Sequence, residues 1–399
     1  MPIFLFCKQI VDVLYQYKIL DYGMVLFALI LILYKIWKDK LYTNIREFIS
    51  LADVIVLVLM VVYVMAFLRY PSAYGTFFKV ESCFFIYFLG RVYGEEIMKH
   101  GKLLAIAGYI VVYANLIYRF YQFGFKFFVT GPEVVLLNLG GLYYYKTDLA
   151  IGMIIAVLFI YMFSENRWLK WITVLPICGY MVFYSSARMP QLIMVAEYIL
   201  ILFCELEKRT RFELKITPKF IKVVTGIVFS LMIAFFVVLQ FFPFEKVEAG
   251  LKMDIGLGST IENMMHSRHI VWWDILKYFS EQSFLTRVFG IDLATEYMHN
   301  AENIRAHSAY IKQIYATGYI GCSMFLMFVS SVLLQLSKGK NKKTVYISLV
   351  LWMMFLGTGL TIESLEATQM SWFPMLFAGI LFTGQKDKNP NKVVQERHK

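Results

Sequence analysis

Three side chains in this 399-residue sequence pair a fixed positive charge, or a proton affinity near neutrality, with a place beside an apolar run. Arg188 lies in Phe183-Tyr184-Ser185-Ser186-Ala187-Arg188-Met189-Pro190, where Pro190 suits the first turn of a following helix. A cation there adds to the positive end of the helix dipole, which is unfavourable alone and useful when an anion binds. Arg268 lies in Met264-Met265-His266-Ser267-Arg268-His269-Ile270-Val271-Trp272-Trp273. In a helix Arg268 and Trp272 fall on one face, and a guanidinium grips phosphate through two parallel hydrogen bonds while staying charged at any working pH. His307 stands just ahead of an apolar helix that starts at Ala309-Tyr310. An imidazole there could take a proton from a hydroxyl and pass it on. Anion binding and proton transfer are the chemistries these residue types offer.

Each also has a plainer reading. Arg188 could reach up to lipid headgroups, and Arg268 could sit on an amphipathic surface helix. Arg287 and Arg305 read as ordinary solvated cations, and His307 as an interfacial histidine. Residue type and spacing leave these alternatives open. Below His307, Ile311, Ile314, Gly318 and Gly321 share one helical face, and the glycines predict close approach of another helix. No DxD pair, glycine-rich phosphate loop or GxSxG is present. His266 and His269 are three apart without a carboxylate or cysteine at metal spacing, so no cofactor or metal is expected. Glu363 and Glu366 are expected on one side, pairing with an arginine or binding an acceptor. Glu81 and Glu197 lie in apolar runs, and each needs a partner or an aqueous cavity, as in a proton-coupled transporter.

The elements that must position these residues are membrane helices. The chain is 59% hydrophobic and 17% charged, with a mean hydropathy of +0.61. That composition excludes an ordinary soluble domain and implies one all-α polytopic membrane domain over 1–399. A crossing needs about 20 mostly apolar residues. Eleven candidate spans result, at 20–36, 51–68, 75–91, 102–121, 147–163, 168–185, 189–205, 222–242, 310–335, 344–361 and 370–384. Residues 2–17 are either an interfacial helix or a twelfth crossing, and no convincing signal peptide is found there. One long polar stretch, 243–309, separates spans eight and nine and contains Arg268, Arg305 and His307. If it lies outside, most of the 39 lysines and arginines fall in inner loops, as the positive-inside rule requires. The net charge of +11 is then topology rather than nucleic-acid binding. Residues 385–399 read as a disordered cytoplasmic tail, and the five cysteines as buried thiols. The tyrosines of the 122–146 loop suit the membrane interface and could also stack on sugars.

In this order the motifs resemble the O-antigen ligase and polysaccharide polymerase superfamily. The matching pieces are Ser186-Ala187-Arg188, Arg268 to Trp272, Phe289-Gly290-Ile291, His307-Ser308-Ala309-Tyr310, and Gly318 with Gly321. They cover roughly residues 150 to 335. The family turn often reads Pro-x-x-Gly-x-Gly, whereas this chain has no such proline and carries Asp292 at the second glycine. The resemblance implies a GT-C-like membrane glycosyltransferase of the bacterial cytoplasmic membrane, with 243–309 as its external catalytic loop. The implied donor is an undecaprenyl-pyrophosphate-linked oligosaccharide and the acceptor a growing glycan. A flippase and a chain-length regulator are implied as partner proteins. By the same resemblance Arg188 and Arg268 would bind the pyrophosphate, with Trp272, Arg305 and Tyr310 near the substrate. His307 would activate the acceptor hydroxyl or hold the phosphate, and no metal would be needed. Polymerase is the favoured expectation. A ligase passing finished glycan to an acceptor shares the donor chemistry, and a lipid-linked saccharide flippase is the contrasting class.

Overall fold

A computed structural model describes residues 1–14, 18–44, 48–123, 141–143, 145–166, 168–185, 187–209, 268–301, 303–339 and 341–383. The expected span 222–242, the first part of the 243–309 stretch, Ser186, His266 and the tail 385–399 lie outside the described residues. Every regular element among the described residues is helical. In chain order these are α1 (Pro2–Val13), α2 (Lys18–Lys38), α3 (Leu51–Arg69), α4 (Tyr74–Lys99), α5 (Gly101–Phe123) and α6 (Lys146–Phe163). A π-turn (Leu169–Val174) leads into α7 (Leu175–Tyr184), followed by α8 (Arg188–Arg209), α9 (Arg268–Glu281) and α10 (Phe284–Phe289). After a 3-10 turn (Glu296–His299) come α11 (Ala309–Lys338), α12 (Lys342–Gly359) and α13 (Thr368–Phe382).

Six of these, α2, α3, α5, α6, α8 and α11, are long and apolar enough to cross a membrane. The stretch Leu169–Tyr184 and α13 are apolar but shorter. Helices also form at the expected spans 75–91 and 344–361, as α4 and α12. However, α4 carries Lys79, Glu81, Arg91, Glu95, Glu96 and Lys99, and α12 opens on Lys342-Lys343, which lowers their hydropathy. The first segment is a 12-residue helix, too short to cross. It packs inside the bundle, where Gln9 Nε2 donates to the Leu104 carbonyl at 2.9 Å and Lys8 Nζ lies 4.1 Å from the Trp372 ring centre.

The core is built on α6 and α13. All fifteen residues of α13 are buried, and Phe159 of α6 meets Phe373 edge-to-face at 5.0 Å. Helix α13 lies directly against α4 because glycines face each other: a Cβ on Gly90 would lie 2.0 Å from the Leu376 carbonyl oxygen, and one on Gly379 2.1 Å from that of Tyr87. Peripheral helices show large apolar residues outward, among them Ile30 and Leu33 of α2, Val61 and Leu68 of α3, and Leu192 and Leu202 of α8. Such surface suits lipid contact.

The two ends of the bundle differ in chemistry. One is rich in lysine. Lys35 pairs with Glu96 at 2.6 Å, Lys102 with Glu165 at 2.7 Å, and Lys343 Nζ stands 4.1 Å from the Phe163 ring centre. Here Arg91 is buried rather than solvated in a loop. Its Nε and Nη2 hold Asp53 at 2.9 and 3.0 Å, Nη2 also donates to the Phe48 carbonyl and Nη1 to that of Phe382, and Tyr87 adds a hydrogen bond to Asp53. Asp53 also closes the capping box with Ser50 that starts α3. The opposite end gathers Arg69, Arg188, Arg268, Arg305 and His307.

Candidate active site

Helix α11 breaks at Gly318, whose φ of +62° and ψ of −160° lie outside helical values. The break is filled by the turn after α10. Gly290 has φ +85°, Ile291 N donates to the Tyr315 carbonyl at 2.7 Å, and a Cβ on Gly318 would lie 2.4 Å from Gly290 N. Only a residue without Cβ fits either side of this crossing. The close approach expected at Gly318 therefore exists, but a loop makes it rather than a helix. Gly321 faces its own helix at Thr317. Asp292 shapes the rest of the turn, accepting from Ala294 N and Thr295 N, both at 2.8 Å. Arg69 Nη1 donates to the carbonyls of Phe289 at 3.1 Å and of Gly290, so α3 anchors the same turn.

This turn sets up the approach to α11. Helix α9 is fixed to the 3-10 turn by the Tyr278–His299 stack, with ring centres 3.6 Å apart, and by Ala301 N donating to Asp274 at 3.0 Å. Trp272 Nε1 donates to the Ala306 carbonyl at 2.6 Å. Beyond it, His307 has a left-handed φ of +46°. Ala306 and Ser308 are buried on either side, while the His307 side chain is exposed. A non-glycine residue in that conformation is uncommon and marks a position held by its surroundings. The surroundings are the α12–α13 turn, whose Ile362 carbonyl accepts from Ala309 N at 3.1 Å.

Arg268 opens α9 and donates from Nη1 to the Thr361 carbonyl in that turn, at 3.1 Å. Arg268 and Arg305 thus reach residues 361–366, and Trp272 holds the Ala306 carbonyl next to His307. Arg305, 56% exposed, lies 3.4 Å from Glu363 Oε2 and 3.7 Å from Glu366 Oε2. Glu363 and Glu366 do face the same side and pair with an arginine. Tyr310 is close by, but its hydroxyl donates to the Leu356 carbonyl at 2.7 Å and so fixes α11 to α12. Arg188, at the first position of α8, is exposed. It shares this end because Gly357 of α12 faces Met189, with a Cβ on Gly357 lying 3.8 Å from Met189 Sδ. No contact among the described residues ties Arg188 to His307.

Sequence reasoning missed Lys312 and Glu296. Lys312 Nζ is buried on the first turns of α11, with Glu296 Oε1 at 3.2 Å, Glu363 Oε2 at 3.7 Å and a hydrogen bond to Glu366 Oε1. The signal was a lysine inside an apolar helix, which requires a partner. Tyr63 of α3 hydrogen-bonds Gln313 beside it.

The electrostatics follow from this packing. Although its ring reaches solvent, the protein around His307 removes enough water to push its pKa below that of a free imidazole. Glu363 opposes the shift, and Arg268 and Arg305 add to it. Burial likewise lowers Arg268. Burial alone would lower Arg305 too, but Glu363 and Glu366 outweigh it and raise the guanidinium. Burial raises Glu366, against the attraction of Lys312 and with the repulsion of Glu363. No family model matches the chain, and no curated protein matches it either.

Proposed function

We propose that this protein joins lipid-linked oligosaccharide repeat units into capsular, exopolysaccharide or O-antigen chains at the outer face of the bacterial cytoplasmic membrane. Under this reading the chain crosses the membrane about eleven times in a GT-C-like arrangement, with the lysine-rich end inside. The observation that carries it is the convergence of Arg268 and Arg305 on one turn, with Trp272 holding the Ala306 carbonyl next to His307, at the end of the bundle opposite the lysines.

The residues divide by charge balance. The charge of Arg305 is matched by two glutamates, whereas Arg268 donates to a backbone carbonyl and has no carboxylate partner among the described residues, which leaves its charge for an anion. Arg268, with Arg188, is therefore assigned to the pyrophosphate leaving group, where fixed cations stabilise the charge that develops as the glycosidic C–O bond breaks. His307 takes the acceptor hydroxyl proton as the new C–O bond forms, with inversion at the anomeric carbon. Its depressed pKa keeps the imidazole neutral, as a base must be. Tyr310 fixes the helix beneath His307. Metal is not required, because arginines supply the charge.

The test is reconstitution with a polyprenyl-pyrophosphoryl repeat unit in chelator, followed by gel separation of the glycans. A ladder of lengths is expected. Arg268→Ala and His307→Ala should each lower its formation about 10²-fold or more. Full activity in both variants would overturn the assignment, and transfer to an added acceptor without a ladder would make the protein a ligase. A second reading, proton-coupled movement of a lipid-linked saccharide, is favoured by one observation. Glu197 is 0% exposed within α8, and neither carboxylate oxygen has a hydrogen-bond partner among the described residues. Flipping without joining, in the same vesicles, would select it.

A further inference from the structure

Beneath His307 the charges do not balance. Glu296, Glu363 and Glu366 surround Lys312, and Arg305 covers them from the rim. Fully ionised, three carboxylates face two cations among the described residues, leaving one excess negative charge in a region shielded from water. An uncompensated buried charge is costly, and a carboxyl in that position takes up a proton instead. Three further observations point the same way. Glu363 is 8% exposed, yet its Oε1 has no hydrogen-bond partner among the described residues. Glu363 also lines a cavity, with Tyr63, Ala309, Gln313 and Glu366, that has room for a water molecule. Glu296, 1% exposed, has an ion pair with Lys312 but no hydrogen bond on either oxygen among the described residues.

We propose that Glu296, Glu363 and Glu366 around Lys312 form a one-proton site that receives the proton from His307. The ligand is a proton rather than a metal ion, since Lys312 occupies the point between the carboxylates and no three acidic or imidazole groups among the described residues converge in metal-holding geometry. The step balances. The acceptor O–H bond breaks and its proton joins an imidazole nitrogen. The bonding pair of the donor C–O bond leaves with the pyrophosphate. The imidazolium then returns to neutrality by protonating a carboxylate, which later releases the proton to water past Arg305. The titratable and charged groups facing the site are Arg305 and His307 from the loop, Lys312 and Tyr315 from α11, Tyr63 from α3 and, through His307, Arg268 from α9. Thr76 of α4 adds a neutral hydroxyl 3.5 Å from Glu366. Burial raises Glu366, the direction that favours uptake of a proton.

The site rests on the reading of His307 as the base, but its occupancy can be measured without turnover. Infrared difference spectra of the purified full-length protein would compare wild type with Glu363→Gln and with Lys312→Met at neutral pH. The expected result is a protonated-carboxyl band in wild type that is lost or shifted in Glu363→Gln and grows in Lys312→Met, where one balancing cation has gone. Identical carboxyl bands in all three would overturn the site. In the ladder assay Glu363→Gln should lower kcat about tenfold while leaving the donor KM unchanged. An unchanged kcat, with the band altered as expected, would limit the site to storing a proton and remove the relay. Failure of wild type to build a ladder would count against the polymerase, leaving the spectra to decide the proton site separately.

Discussion

Arg305 and His307 are two residues apart and electrostatically linked, so one can be used to read the other. The guanidinium is among the charges that depress the imidazole, after burial and Arg268. Neutralising it in Arg305→Gln should raise the pKa of His307. Activity that needs neutral imidazole falls as pH drops through that pKa, which in the wild type lies below the ordinary 6.5. The acid limb of the pH–rate profile should therefore move to higher pH in Arg305→Gln. A limb that stays in place would separate it from His307. At this scale the sequence was partly legible. The pairing of Glu363 and Glu366 with an arginine could be expected because both stand at one helix end. The partners of Lys312 could not, since Glu296 and Glu366 flank it in sequence by 16 and 54 positions and only the turn at Gly290 and the α12–α13 turn bring them together.

Helix α11 illustrates what hydropathy reads and what it misses. An apolar run at 310–335 announces a helix, and the helix is there. Its break at Gly318 leaves hydropathy unchanged, because glycine and its neighbours remain apolar enough in either conformation. Gly318→Ala would force a Cβ to within 2.4 Å of Gly290 N at a positive φ, a strain of about 1–3 kcal/mol. A lower melting temperature for the purified protein is expected, together with loss of activity as the turn carrying Asp292 and Glu296 shifts. A melting temperature equal to wild type would show that the break is not held as described. Helices α3, α4 and α13 are joined by another device, the buried Arg91–Asp53 pair. Asp53→Asn leaves a buried guanidinium without its counter-charge, which costs about 3–5 kcal/mol. The same thermal measurement should show a large drop, whereas activity of the surviving folded fraction should be retained, since the pair sits at the lysine-rich end.

Across the whole molecule, the two ends of the bundle are chemically distinct, and that asymmetry was the most legible feature of the sequence. Lysine beside apolar runs predicted one side, and the arginine, histidine and tryptophan stretch predicted the other. What composition could not give was the interior, because α6 and α13 are buried on all sides while α2 and α8 expose much of their surface, and both kinds of helix read as apolar. The sidedness itself is testable. In a cysteine-free background, a single cysteine at Ser72 or Leu360 should react with a membrane-impermeant maleimide on intact cells. One at Asn341 or Asp39 should react only after permeabilisation. The reverse pattern would invert the protein and remove the active site from the outer face.

The burial of α13 has a consequence for biosynthesis. Arg91 and its carbonyl acceptor on Phe382 are 291 residues apart, and the glycine groove of α4 is filled by α13, the last of the described helices in chain order. This part of the core is therefore completed only after α4 and the helices between have been made. Until α13 emerges, α4 holds an open seam and an unfinished guanidinium site, so a nascent chain depends on neighbouring lipid or an insertion factor to shelter both. Closure of the interior waits for a carbonyl made 291 residues after the guanidinium it satisfies.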